Sequence, residues 1–110
     1  VGYSARFVAQ RESVIAVLPV GYADGLSRQL SNRGRMVVRD ECVPIAGAIS
    51  MDITTLDVTD VPDVEVGDEV TILGSTDRCT IDAWEHARLA NTVVYETLTS
   101  IGKRVPRVYV

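Results

Sequence analysis

Hydrophobic and polar positions along this chain come in short runs broken by turn residues, a pattern that predicts strands before helices. Residues 3–10 alternate loosely and stop at the polar trio Gln10-Arg11-Glu12. Residues 13–20 are almost continuously apolar, as in a strand buried on both faces, and Pro19 puts the strand's end at an edge or bulge. Tyr22-Ala23-Asp24-Gly25 reads as a turn, because Asp-Gly supplies the positive φ of a tight reversal. Ser31-Asn32-Arg33-Gly34 reads as another. Strands follow at 35–39 and 42–49 around the charged connection Asp40-Glu41. At 53–58, Thr54, Leu56 and Val58 share one face, with Ile53, Thr55 and Asp57 on the other. An acidic, proline-containing loop spans 60–68, and a turn at 66–69 leads into a strand at 70–73 that Gly74 closes.

The period then changes. Asp82 with Glu85 three residues on has capping-box spacing, so a short helix begins there, with Ile81, Trp84, Ala87 and Leu89 toward a core. A second short helix is expected over 92–100 with Gly102 as its stop, and 105–110 returns to extended chain. The fold class is therefore mainly β: a small β-barrel or sandwich-like domain with two short helices near the C-terminus.

Composition agrees. Of the 110 residues, 34 are valine, isoleucine or threonine, whose branched Cβ favours a pleated, half-buried setting. The length supports one domain. No apolar run approaches the roughly 20 residues of a membrane-spanning helix. Charge is uneven: residues 40–69 carry nine acidic side chains and no basic one, which reads as a solvated face. Arg28, Arg33, Arg35 and Arg39 lack the interleaved aromatics of a nucleic-acid surface, so nucleic acid is not an expected partner. Cys42 and Cys79 form no metal-ligand spacing and are expected to be reduced thiols of a cytoplasmic protein. His86, the one histidine, is expected at the surface or partly packed.

No phosphate loop, nucleophile elbow or metal-ligand pattern is present. The informative positions are instead tyrosines and one methionine at strand ends. Val1-Gly2-Tyr3-Ser4-Ala5-Arg6-Phe7 is followed by Leu18-Pro19-Val20-Gly21-Tyr22-Ala23-Asp24-Gly25 and Leu30-Ser31-Asn32-Arg33-Gly34. Pro44-Ile45-Ala46-Gly47, Ser50-Met51-Asp52 and Asp57-Val58-Thr59-Asp60 come next, then Asn91, Tyr95-Glu96 and Arg104-Val105-Pro106-Arg107-Val108-Tyr109. In this order the motifs closely resemble the C-terminal domain of alanine racemases, over essentially all of residues 1–110.

That resemblance implies a pyridoxal 5'-phosphate enzyme interconverting L- and D-alanine for peptidoglycan. Its cofactor and cofactor-bearing lysine belong to a preceding TIM-type barrel, and its C-terminal β domain completes the partner subunit's active site in a homodimer. Tyr3 matches the family's catalytic tyrosine, the base for the L-enantiomer. Met51 matches the residue whose backbone helps hold the substrate carboxylate, with Asp52 beside it. Tyr22 and Arg28 match residues lining the narrow substrate channel, and Tyr95 matches a tyrosine that hydrogen-bonds the cofactor phosphate. No metal is implied. Ala48 departs from the arginine often found in the family, which leaves open a serine or broad-specificity racemase. The start at Val1 falls after the family's first strand of this domain, so a piece of a longer enzyme is expected, inactive alone. A non-catalytic β-rich oligomerisation module is the alternative from another class.

Overall fold

The computed structural model describes residues 13–90 and Ile101. The strand expected at 3–10, the helix expected over 92–100 and the extended segment 105–110 lie outside the described residues.

The described strands form three small antiparallel sheets. β1 (Ile15–Leu18) pairs with β4 (Thr54–Asp57), Leu18 opposite Thr54 and Ile15 opposite Asp57. β2 (Arg35–Val38) runs between β3 (Glu41–Pro44) and β5 (Val70–Thr71). β6 (Gly74–Ser75) and β7 (Thr80–Ile81) form a hairpin leading into α1 (Ala83–Leu89). A single bridge from Ile45 to Leu56 joins the end of β3 to β4. The architecture is mainly β with one described helix, as the patterning predicts.

β2 is the strand around which the rest packs. Met36 and Val38 point into the main core with Leu26, Leu30, Val43, Ile45, Ile49, Leu56, Val58 and Val61. Val37 points the other way, into a smaller cluster with Cys79 and Ile81. A strand covered on both faces loses polar alternation, which explains the run Met36-Val37-Val38. The faces of β4 fall as expected, with Thr54, Leu56 and Val58 buried. The Thr54 hydroxyl, inside an apolar core, is satisfied by donating to the Val20 carbonyl at 2.6 Å.

Several expectations need correction. β1 is not buried on both faces: Ala16 and Leu18 pack on the core, while Val17 is 65% exposed. The strand expected over 42–49 ends at Pro44, and Gly47 adopts a positive φ of 80°. The β2–β3 hairpin turns on Arg39 and Asp40, both at positive φ (49° and 64°), a primed turn without the usual Asn-Gly signature. Gly74 starts β6 instead of closing the preceding strand. Trp84 is 74% exposed, and His86 lies inward beside Ala87, 5% exposed. The Asp82 cap itself is as expected, its carboxylate accepting the Glu85 N–H at 2.8 Å.

The cysteines also differ from expectation. Cys42 of β3 and Cys79, just before β7, form a disulfide with Cα atoms 5.5 Å apart. Their separation of 37 positions carries no spacing signal, and the pairing exists only because β7 packs against β2 and β3 lies beside β2. The bridge stands next to a charged tie. Arg35 donates to both carboxylate oxygens of Glu85 (2.9 and 2.8 Å), to the Thr80 carbonyl and to Cys42 Sγ, joining β2 to α1. The acidic block is partly neutralised in the same way. Asp68 receives Arg39 in a two-pronged pair, and Glu41 pairs with the Arg78 guanidinium at 2.6 Å. The Glu65 N–H first, and then Arg39, hold the Asp68 carboxyl below its usual range.

Two outcomes follow from this packing. A disulfide closing a loop of this length restricts the unfolded chain by about 3–4 kcal/mol in the chain-entropy treatment. Reduction with dithiothreitol, or Cys42→Ser, should therefore lower the unfolding free energy measured by urea titration by an amount of that order. His86 provides the second. Its Nε2 is buried without a hydrogen-bond partner among the described residues, and burial pushes its pKa below the ordinary 6.5, against weaker opposite pulls from Glu85 and Asp82. The unfolded chain then takes up a proton that the folded one refuses. Stability is constant above pH 6.5 from this group and falls as pH drops below it. Urea titrations at pH 7.5, 6.5 and 5.5 should show that slope in the unaltered protein and lose most of it in His86→Gln.

Candidate functional site

The chain leaves β1 through Pro19 and Val20 and reaches Gly21, where two stretches of main chain come together. The Tyr22 N–H donates to the Ser50 carbonyl and the Ala23 N–H to the Met51 carbonyl, each at 3.0 Å. A Cβ on Gly21 would overlap the Ser50 carbonyl oxygen and the Met51 carbonyl group. Glycine is required here by this approach, since its φ of −145° is open to any residue. Tyr22–Asp24 then forms a 3-10 turn whose ends are held reciprocally. The Gly21 N–H donates to the Asp24 carboxylate at 3.2 Å, and the Asp24 N–H donates to the Gly21 carbonyl at 3.0 Å. Gly25 closes the turn at φ 103°, the left-handed conformation its Asp-Gly sequence anticipates.

A second 3-10 turn, Arg28–Leu30, follows a Ser27 cap and brings the Arg28 guanidinium carbon 5.2 Å from the centre of the Tyr22 ring. That is within cation–π range, so the arginine and the tyrosine are positioned by each other. On the opposite side, Ser50 ties its own loop shut. Its N–H and hydroxyl both donate to the Ile53 carbonyl, and its hydroxyl accepts the Ile53 N–H. Met51 and Asp52 stand at the tip of this loop, both exposed, Met51 at 50%. The Met51 carbonyl is committed to Ala23, whereas its N–H has no acceptor among the described residues. An exposed main-chain donor on a pinned loop is suited to an anion, because no rotamer freedom is lost on binding.

These contacts bring together three of the six expected site residues, Tyr22, Arg28 and Met51, and Asp52 follows Met51 on the same exposed loop tip. Tyr3 and Tyr95 lie outside the described residues. Two features went unread in the sequence. Gly21 looks like an ordinary strand-end glycine, and only the Ser50 carbonyl beside it gives it meaning. Ser31 and Asn32 look like turn residues, yet both side chains reach the segment leading to Met51: Ser31 Oγ accepts the Ile49 N–H and Asn32 Oδ1 the Gly47 N–H. Ala48, between those two amides, is buried.

The family model described as alanine racemase, C-terminal domain, matches residues 1–109. The chain belongs to that family. It is 58% identical over 113 residues to an alanine racemase of Sorangium cellulosum, an alignment covering 99% of this chain and 30% of that protein. Similarity to an alanine racemase of Desulfosudis oleivorans is 55% over 109 residues, covering 99% and 28%. Among solved structures, alanine racemase from the D-cycloserine producer Streptomyces lavendulae superposes with a TM-score of 0.92 at 41% identity, over 100% of this chain and 28% of that one. Alanine racemase from Bartonella henselae, with covalently bound pyridoxal phosphate, does so at 0.92 and 38%, over 100% and 30%. The chain therefore spans under a third of the length of these relatives. No helix among the described residues is long and apolar enough to cross a membrane.

The contact of Gly21 with Ser50 and Met51 sets the relative position of the loops carrying Tyr22 and Met51. Gly21→Ala should force them apart and cost about 3 kcal/mol, at the upper end for overpacking. Urea unfolding of the variant measures it, and a change under about 0.5 kcal/mol, the level of an ordinary surface substitution, would refute the close approach.

Proposed function

We propose that this chain is the C-terminal β domain of an alanine racemase, joined to a TIM-type barrel domain that binds pyridoxal 5'-phosphate. In the proposed assembly, a homodimer, the domain completes the active site of the other subunit, and the enzyme interconverts L- and D-alanine for peptidoglycan synthesis. The observation that carries this reading is the similarity of the whole chain, in sequence and in fold, to alanine racemases.

The sequence has a single lysine, Lys103, outside the described residues, so the described residues offer no amine to carry the cofactor. The cofactor is assigned to the barrel. When bound, it delocalises the electron pair left on the substrate Cα. The work of this chain is to place groups around that carbon. Racemisation takes a proton from one face of Cα and returns one on the other. Tyr3 is the base for the L-enantiomer, with its phenolic oxygen accepting the Cα proton. A free phenol has a pKa of about 10, so this role requires cationic or hydrogen-bonding neighbours that stabilise the phenolate. The Met51 N–H donates to the substrate carboxylate. Tyr22 and Arg28, held by their ring–guanidinium contact, line the approach with Asp52. Tyr95 donates to the cofactor phosphate.

A second reading keeps the chemistry and changes the substrate. Ala48, where the family often has arginine, favours a serine or broad-specificity racemase. Activity of the intact protein on a panel of L-amino acids, followed by loss of optical rotation, separates the two. Alanine turned over far ahead of the others supports the first reading, and equal or faster turnover of serine supports the second. In the same assay Tyr3→Phe should lower the rate with L-alanine by about 10²–10⁴-fold, the usual contribution of a positioned base. Full activity in that variant would remove Tyr3 from the mechanism.

A further inference from the structure

We infer that Ser31 and Asn32 are positioning residues for the substrate-carboxylate donor, clamping the main chain that carries Met51. This rests on the racemase reading of Met51 given above. The geometry is specific. After β3 the chain leaves the β2–β3 ladder, and residues 45–49 run buried, bonded to β4 at Ile45 and Ala46 and to side chains beyond. The Gly47 N–H donates to Asn32 Oδ1 at 2.6 Å, and the Ile49 N–H donates to Ser31 Oγ at 2.8 Å. Ser31, itself buried, donates its hydroxyl hydrogen bond to the Arg28 carbonyl at 2.7 Å. One hydroxyl therefore connects the turn bearing Arg28 to the segment bearing Met51, two residues beyond Ile49.

Asn32 reaches Gly47 because its backbone is left-handed, φ 56°, a conformation open to Asn, Asp and Gly and costly for other residues. Gly47, at φ 80°, presents its N–H from a similarly turned backbone. Met51 is thus located from two directions. Gly21, Tyr22 and Ala23 fix it from below through main-chain contacts. Ser31 and Asn32 fix the strand-like segment that delivers it. Without the second set, the loop tip keeps its hydrogen bonds to Tyr22 and Ala23 but is free to tilt about them, and the donor loses its aim.

The side chain at position 32 allows a clean separation of backbone from contact. In the intact protein, Asn32→Gly keeps the left-handed conformation and removes the Gly47 acceptor, while Asn32→Asp keeps both. Asn32→Gly and Ser31→Ala should raise KM for alanine about 3- to 10-fold, the scale of one lost hydrogen bond. The kcat of both should stay within about twofold, as for an interaction made equally in the ground and transition states. Asn32→Asp should match the unaltered protein in KM. Hydrogen exchange followed by mass spectrometry should show faster exchange across residues 45–53 in Asn32→Gly and Ser31→Ala, and not in Asn32→Asp. Equal KM in Asn32→Gly and Asn32→Asp, or kcat falling in step with the folded fraction, would overturn the clamp. If the unaltered protein does not racemise alanine, the racemase reading fails. Exchange then decides the clamp alone, and unchanged protection across 45–53 in Asn32→Gly overturns it.

Discussion

Main chain buried outside a sheet must find other acceptors for its N–H groups, and this requirement shapes the functional half of the domain. From Ile45 onward the ladder of β3 is gone, yet the path stays inside the protein. Ile45 donates to the Gly34 carbonyl, Ala46 to the Thr55 carbonyl, Gly47 to Asn32 and Ile49 to Ser31. Three of these four acceptors lie on the turn at 31–34 and the fourth on β4. The turn at 31–34, strand β4 and the segment 45–49 are consequently one unit, and a change in any of them is felt at the Met51 loop. An irregular segment tied by scattered side chains is more exacting in sequence than a strand, because no single residue type can replace Ser31 and Asn32 together.

The rest of the domain is a support for that unit. β2 is buried on both faces and carries two clusters, one with the apolar residues of β3 and β4 and one with Cys79 and Ile81. The Cys42–Cys79 disulfide and the Arg35–Glu85 pair act on the same side, fastening α1 and the β6–β7 hairpin to the central sheet. Their contributions differ in kind. The disulfide restricts the unfolded chain. Arg35, with its guanidinium partly exposed, adds geometry through a two-pronged pair and adds little net energy. His86 is the weak point of this arrangement, its Nε2 buried with no hydrogen-bond partner among the described residues.

The sequence reading was reliable where a local rule suffices. Thr54, Leu56 and Val58 alternate onto one face because period two is built into a strand. Asp82 caps α1 because its carboxylate meets an N–H three residues on. Gly25 takes the left-handed position that Asp-Gly announces. Where the outcome depends on neighbours distant in sequence, the pattern was silent or misleading. Nothing near Cys42 marks Cys79, and nothing near Trp84 shows that α1 turns His86 inward. The primed turn at Arg39-Asp40 has no glycine to advertise it, and Arg39 is held there by Asp68, 29 positions away. The site was legible to the same degree. Met51, Tyr22 and Arg28 stood out through motifs in a family order, whereas the meaning of Gly21 appears only when Ser50 lies against it.

A racemase places an unusual demand on its substrate contacts, and on the proposed reading the arrangement around Met51 meets it. Both enantiomers must bind with comparable strength, since the same site works in both directions. Contacts that grip the side chain or the Cα hydrogen would favour one hand. A contact to the carboxylate is indifferent to which face of Cα bears the proton. A main-chain N–H is well suited to that contact, being short, uncharged and without rotamers, provided the backbone that carries it does not move. On the proposed reading, rigidity at residues 47–51 is therefore part of the chemistry. On that reading the glycine against the loop and the two polar side chains bonded to the segment before it supply the rigidity.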